Sequence, residues 1–293
     1  MDFGANRRGV DMGPSALRQA GLKASLERLG HRVEEEKRAI RIPIQEHTEE
    51  GDPRMKFLAP IAAGCEQLAV LVEEALAAGV FPLVMGGDHS IAVGTLAGVG
   101  NFNRQNNTDF GVVWIDAHGD FNTRQTTPSG NIHGMSLAAS AGLGDPRLTH
   151  LAGTQRKVDP RNIVIIGLRD VDPEEKRNLK EAGVKCFTMA DVDQLGMAEV
   201  ASLALAHLPA HLQSLHVSFD VDSLDPQVAP GVGTPVQGGL TYRELHLLME
   251  LLAADGRVAS AEVVEVNPIL DVRNQTATVA VEMLSSLLGA TIL

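Results

Sequence analysis

The chain has 293 residues, and its hydrophobic content of 44% is ample for a sizeable core and excludes wholesale disorder. Its 37 acidic residues outnumber the 25 basic ones, and the resulting net charge of -12 repels phosphate backbones and anionic membrane surfaces. We therefore expect no nucleic-acid or membrane partner and favour a small or cationic substrate.

Short apolar runs recur along the chain, and most are near-continuous, as in strands that are buried on both faces of a parallel sheet. In chain order they cover residues 80–85, 111–115, 162–167, 184–188, 215–219 and 258–266. Helical stretches are predicted at residues 14–29, 58–78, 91–96, 173–182 and 242–253. The alternation predicts an α/β fold, a three-layer αβα sandwich with a central, mostly parallel sheet. No repeat or linker divides the chain, so we expect residues 1–293 to form a single domain.

Polar motifs follow five of the six predicted strands. They are GGDHS at 86–90, DAHGD at 116–120, RDVD at 169–172, DVDSLDP at 220–226 and VEVNP at 264–268. Because ligands of open parallel sheets bind at the carboxyl ends of the strands, we expect these histidine and carboxylate groups to converge.

Within DAHGD, Asp116, His118 and Asp120 alternate, which places all three on one face if the segment stays extended. Asp220 and Asp222 repeat this spacing, and His89 adds a second imidazole. A single motif of this kind is most often a helix cap or a turn, so the prediction rests on their joint occurrence at successive strand ends.

Four carboxylates in a buried crevice repel one another, and two divalent cations would cancel their charge. Coordination that is rich in carboxylates and free of thiolates favours Mn²⁺, while Fe²⁺, Co²⁺ and Zn²⁺ remain open. The sequence therefore predicts a two-metal hydrolase.

The motifs GGDHS, DAHGDFN and SFDVDSLDP resemble the three signature blocks of the ureohydrolase family. NRRGVDMGPSALRQAGL, SGNIHG, GTPVQGGLTYRE and VEVNP resemble the arginase branch in particular, so the resemblance covers nearly the whole chain. It implies the arginase/deacetylase-like fold and the hydrolysis of L-arginine to L-ornithine and urea.

The resemblance also implies two Mn²⁺ ions per subunit, with Asp116 and Asp220 bridging them. The implied metal ligands are His89, Asp116, His118, Asp120, Asp220 and Asp222. Glu265 would pair with the guanidinium group, and Thr234 would shape that end of the pocket. Asp120 would relay a proton to the departing amine, and His133 would exchange protons with solvent.

Substrate specificity is likewise implied by the resemblance. Asn122 and Ser129 match positions that contact the α-carboxylate, Asp172 matches one that reads the α-amino group, and Glu175 would support it. By spacing alone, Asp172 before Pro173 is most simply a helix cap. The alternatives are an agmatinase or another guanidine amidinohydrolase, a deacetylase-like zinc enzyme and a noncatalytic arginine-binding scaffold.

Cys65 and Cys186 lie far apart, and the first residues contain no apolar signal-peptide core, so we expect a reducing cytoplasm. Relatives usually begin with a short strand that the opening MDFGANRRG lacks, so we expect either that this strand is missing or that the start codon is misassigned. Ser136 stands where relatives often have proline, and we expect little effect on catalysis.

Arg243 and Glu244 resemble residues of inter-subunit ion pairs, which implies a homohexamer or homotrimer.

Overall fold

The computed structural model describes residues 1–38, 40–153 and 155–291. Its centre is a sheet of six parallel strands in the order β1-β6-β5-β2-β3-β4. The strands are β1 (Leu83–Met85), β2 (Phe110–Ile115), β3 (Ile163–Leu168), β4 (Lys185–Thr188), β5 (Ser214–Asp220) and β6 (Val258–Val264). Within the described ranges, β1 is the first strand of the chain and forms one edge of the sheet.

Helices surround this sheet. The α-helices are α1 (Gly13–Gln19), α2 (Leu22–Arg28), α3 (Leu58–Ala77), α4 (Ala92–Gln105), α5 (Ser136–Ser140), α6 (Pro146–Thr149), α7 (Pro173–Ala182), α8 (Met189–Leu195), α9 (Met197–His207), α10 (Tyr242–Asp255) and α11 (Gln275–Leu287). Short 3-10 helices cover Val10–Met12, Gln45–His47, His89–Ile91, His133–Met135, Leu151–Gly153, Pro160–Asn162 and Val221–Ser223. No helix in the described part of the chain is both long and apolar enough to cross a lipid bilayer.

Strand β2 shows that the sheet is buried on both faces. Val113 and Ile115 point into a core formed with α1, α2 and α8 to α11. Val112 and Trp114 point the other way, into a core formed with α3, α4 and α7. The predicted three-layer αβα sandwich is therefore confirmed, because alternate side chains of one strand pack against two separate helical layers.

Several predicted bounds are wrong, each for a local reason. The helix predicted at 14–29 is two helices, because Gly21 adopts a left-handed φ of 87° between them. The helix predicted at 91–96 continues to Gln105, because its glycines lie against neighbouring backbone and tertiary packing overrides their low helix propensity. Strand β6 ends at Val264, because Glu265 turns the chain with a φ of 65°.

Helices α9 and α11 had no predicted counterpart. Helix α9 carries few charged residues, so its apolar residues did not show a distinct polar face. Its buried side chains Val200 and Ala204 pack into the same core as α10 and α11. Burial in the outer helical layer, rather than an amphipathic pattern, accounts for this helix.

Helix α4 follows the turn that carries His89, so its packing on α3 bears on the position of that residue. A Cβ atom at Gly98 would lie 2.5 Å from the carbonyl oxygen of Ala69 and 2.8 Å from Cβ of Val72. We expect Gly98→Ala to lower the free energy of unfolding by about 1–3 kcal/mol, the usual effect of overpacking. The helix propensity of alanine opposes this loss by about 1 kcal/mol.

Unfolding in guanidinium chloride measures this difference. Gly134→Ala is the control, because no atom lies within 4 Å of the position of its added Cβ. A Gly98→Ala protein as stable as both the wild type and the control would contradict the close approach of α3 and α4.

A candidate metal centre at the carboxyl ends of the strands

Segments that follow β1, β2, β5 and β6 meet at the carboxyl end of the sheet. The first histidine cluster forms around His89, which is fully buried. Its Nδ1 atom lies 3.1 Å from an Oδ2 atom of each of Asp116, Asp120 and Asp220. Ligands bound about 2.1 Å from a cation in octahedral geometry are about 3.0 Å from one another. Ligand atoms of His89, Asp116 and Asp220 lie within 4.8 Å of one another, so these three residues could hold one ion, and Asp120 approaches the same imidazole nitrogen.

A second cluster forms around His118. Its Nδ1 atom lies 3.3 Å from Oδ1 of Asp116 and 3.2 Å from Oδ2 of Asp222. Asp116 thus presents one oxygen atom to each cluster. The Thr234 hydroxyl donates a 2.8 Å hydrogen bond to Asp222 Oδ2 and holds that carboxylate in place.

The expected sharing of one extended face by Asp116, His118 and Asp120 is wrong. Strand β2 ends at Ile115, the chain then bends, and Asp120 has a left-handed φ of 48°. As a result Asp120 lies with His89, while His118 lies with Asp222. The turn is held locally, because the backbone N–H of His118 donates to Asp116 Oδ1 at 2.7 Å.

The donor set fits divalent cations. Nδ1 of His89 is buried without a hydrogen-bond partner among the described residues, although three carboxylates face it. Burial, followed by the charges of Asp222 and Asp116, holds the pKa of Asp220 well above its usual range. Burial and the charge of Asp116 also raise the pKa of Asp120. Cations between these groups would relieve the repulsion and give Nδ1 a partner.

Trp114 contacts two residues of the His89 cluster and helps to hold them in place, a role that the sequence did not indicate. Its ring stacks on that of His89, with centroids 4.0 Å apart and an interplanar angle of 5°. Its Nε1–H group donates to Asp116 Oδ2 at 2.9 Å. A lone tryptophan in a buried apolar strand gave no signal other than core packing.

Glu265 and His133 form a pair beside the first cluster. His133 Nδ1 lies 3.0 Å from Glu265 Oε1, which also accepts a 2.9 Å bond from the backbone N–H of His89. Burial lowers the pKa of His133, but its hydrogen bond to Glu265 and the carboxylate charge outweigh this effect and raise it to about 9. The other oxygen, Glu265 Oε2, is buried without a partner among the described residues.

A cavity of about 310 Å³ opens beside these clusters. Its lining consists of Ala5, Asn6, Arg7, His118, Asn131, Asp170, Gly233, Thr234, Pro235 and Val236. The position of a Cβ atom on Gly233 would lie 3.6 Å from Glu265 Oε2. The unpartnered carboxylate oxygen therefore lies close to the cavity wall.

The residues predicted to read the substrate's α-substituents lie on neighbouring loops. Asn122 Nδ2 donates to Asp172 Oδ2 at 2.9 Å, and the backbone N–H of Asp172 donates to Glu175 Oε2 at 3.2 Å. Asp172 is also the N-cap of α7, as its spacing before Pro173 indicated. Burial raises the pKa of Glu175 to about 7. Asn122, Asp172 and Glu175 thus form one network.

Ser129 lies apart from that network. Its side chain is exposed, and its hydroxyl accepts a 3.2 Å bond from the backbone N–H of Asn131. The loop that carries it is fixed by Arg54, which donates to the carbonyl oxygens of Arg124, Gln125 and Thr127.

Comparisons with known proteins agree with this arrangement. A profile described as the Arginase family matches residues 1–289. The arginase of Bacillus caldovelox is 52% identical over 292 residues, which is 99% of this chain and 95% of that protein.

Solved structures agree as well. The native arginase structure from Bacillus caldovelox at pH 5.6 superposes with a TM-score of 0.95 at 51% identity, covering 100% of this chain and 97% of that one. An Entamoeba histolytica arginase in complex with L-ornithine has a TM-score of 0.88 at 31% identity, covering 98% and 94%. By profile, sequence and structure, the chain belongs to the arginase family.

Proposed function

We propose that the protein is an arginase that hydrolyses L-arginine to L-ornithine and urea and holds two Mn²⁺ ions per subunit. The observation that carries this proposal is the pair of histidine–aspartate clusters that meet at Asp116. Relatives named as arginases at about half identity, such as that of Bacillus caldovelox, support the reaction. The Entamoeba histolytica relative, described in complex with L-ornithine, supports the product.

In this proposal each cluster would hold one ion, and Asp116 and Asp220 would contribute to both. His89, Asp116, Asp120 and Asp220 would hold one ion, and His118, Asp116, Asp220 and Asp222 would hold the other. Oxygen-rich and thiolate-free ligands favour Mn²⁺. When bound, such a pair lowers the pKa of water far enough to supply hydroxide near neutral pH.

Glu265 is suited to orient the guanidinium group. Its Oε1 atom is held by the backbone N–H of His89 and by His133, which leaves Oε2 free near the cavity. A carboxylate oxygen accepts strong, charge-assisted bonds from guanidinium N–H groups. Thr234 lies on the cavity wall and narrows the same end. Orientation matters here because the delocalised charge of a guanidinium makes it a poor electrophile.

Protons are moved by the chain's own groups. His133, with a pKa of about 9, carries a proton at neutral pH and is partly exposed, so it can exchange that proton with solvent. Asp120 lies beside the first cluster, where it relays a proton to the departing amine.

Arginine differs from agmatine by its α-carboxylate, so specificity depends on the groups that contact this carboxylate. We assign Asn122 and Ser129 to it, Asp172 to the α-amino group, and Glu175 to the support of Asp172. The alternative, an agmatinase or another amidinohydrolase, needs no carboxylate contact and is not favoured by the arginase relatives.

We further propose that residues 1–293 form a single domain, that the protein acts in the cytoplasm, and that it assembles as a homohexamer or homotrimer. Glu244 caps α10 by accepting bonds from Thr241 N–H and Oγ1–H, both at 2.8 Å. An inter-subunit ion pair with Arg243 would have to share this carboxylate.

The reaction and the metal are tested together by urea release from L-arginine and from agmatine. The protein is first dialysed against a chelator and then reloaded with Mn²⁺. We expect no urea before reloading and, afterwards, release that is far faster from arginine than from agmatine, because the proposed metals supply the attacking hydroxide. Preference for agmatine would overturn the assignments of Asn122, Ser129 and Asp172. Absence of urea from both substrates would overturn the proposed reaction.

The α-carboxylate contact is tested by Ser129→Ala. We expect kcat/KM for arginine to fall about 10–100-fold, because one hydrogen bond to a charged group is worth about 1.5–3 kcal/mol. Agmatine is the control within the same variant, because it lacks the carboxylate and its slow turnover should not change. An equal loss with both substrates would show that Ser129 acts on the loop rather than on the carboxylate.

A further inference from the structure

A row of buried polar side chains runs away from the cavity behind His89. His89 Nε2 lies 2.7 Å from Ser218 Oγ, and Ser218 Oγ donates to Glu262 Oε1 at 2.8 Å. All three residues have no exposed surface. Ser218 on β5 and Glu262 on β6 are directly paired in the sheet register, so the backbone sets their separation.

The order of donors in this row follows from the groups themselves. A hydroxyl has a single proton, and Ser218 gives it to Glu262, which as a carboxylate can only accept. The Ser218 oxygen must therefore accept its second bond from an N–H group on His89 Nε2. In neutral imidazole a proton on Nε2 leaves Nδ1 with a lone pair, and this is the atom that faces Asp116, Asp120 and Asp220.

We propose that Ser218 and Glu262 are positioning residues that hold His89 in its Nε2–H tautomer and thereby set the affinity of the first metal position. This inference rests on the proposed function, which places a cation at the His89 cluster. The tautomer matters because a proton on Nδ1 would occupy the ligand lone pair. The second position depends on His118, which lies outside this row, so the effect is confined to one ion.

The neighbours of Glu262 are consistent with this role. His216, one pair further back on β5, approaches Glu262 Oε1 with Nε2 at 3.6 Å and bonds through Nδ1 to Ser260 Oγ at 2.9 Å. Glu262 thus faces two residues of β5, Ser218 and His216. Its Oε1 atom accepts the hydrogen bond of the Ser218 hydroxyl, as an acceptor that orients Ser218 requires.

Two substitutions at one buried position separate acceptor loss from charge loss. Glu262→Met removes both the charge and the acceptor, so the Ser218 hydroxyl is free to donate to His89 Nε2 and permit the wrong tautomer. Glu262→Gln removes the charge but keeps an amide oxygen that accepts from Ser218. We expect the first metal to bind about 10–100-fold more weakly in Glu262→Met. Glu262→Gln should remain close to the wild type.

The readout is binding rather than turnover. Chelator-treated protein is titrated with Mn²⁺, the free ion is followed by electron paramagnetic resonance, and two dissociation constants are fitted. Thermal unfolding of the metal-free proteins shows whether each variant is folded. If Glu262→Met does not fold, Ser218→Ala tests the same row with a smaller change. Its control is Ser286→Ala, a buried serine that bonds to a carbonyl oxygen within α11.

The proposal is supported if one of the two Mn²⁺ dissociation constants rises in Glu262→Met or Ser218→Ala and neither constant changes in Glu262→Gln or Ser286→Ala. The proposal would be overturned if Glu262→Met and Glu262→Gln changed Mn²⁺ affinity equally, or if both ions bound more weakly to the same extent. Wild-type protein that takes up fewer than two ions would overturn the proposed metal pair itself, and the tautomer proposal with it.

Discussion

Mutual repulsion among four carboxylates at one buried place is the constraint on which this structure depends. Asp116, Asp120, Asp220 and Asp222 are almost entirely removed from water, and burial raises the pKa of Asp120 and Asp220. Such a cluster lowers the stability of the fold, because each uncompensated buried charge costs several kilocalories per mole. The arrangement is understandable if cations complete it, and ligand atoms of His89, Asp116 and Asp220 lie close enough to one another to hold one ion.

The layers beneath the carboxylates are built to keep the ligands in place. Trp114 donates a hydrogen bond to Asp116 and stacks on the face of the His89 ring. Ser218 bonds to Nε2 of His89, and Glu262 accepts a hydrogen bond from Ser218. These groups lie on strands, where cross-strand register leaves little freedom. The N-terminal loop adds a clamp, since Asp88 accepts a bond from Gly4 N–H and the Gly4 carbonyl accepts one from His133 N–H. Rigid support for ligands therefore comes from the sheet, and support for His133 comes from a loop.

The residues assigned to substrate specificity have a different setting from the metal ligands. Asn122 lies on a loop, Asp172 caps α7 at the end of another loop, and Glu175 lies in the first turn of α7. Loop residues can change without disturbing the metal ligands. A set of specificity residues that is separate from the metal ligands allows the guanidine substrate to change without loss of the metal site. It also explains why the carboxylate contact, rather than the metals, is the sensitive test of substrate.

Local sequence determined much of this protein. Continuous apolar runs predicted the six strands to within a few residues, and the helix predicted at residues 173–182, with Asp172 before Pro173 as its cap, has these bounds in the structure. Motif positions at strand ends predicted where histidines and aspartates would gather, because parallel strands all end on one side of a sheet.

Tertiary structure alone decided how those groups are divided. Because Asp120 has a left-handed backbone conformation, its carboxylate lies beside His89 rather than beside His118. The two-residue repeat of an extended strand could not predict this turn. In the sequence, Ser218 and Glu262 are polar residues within apolar strands, and nothing local indicated a role at the metal centre. Their function depends on which strands are neighbours, and pairing of β5 with β6 is a long-range contact that local sequence does not encode.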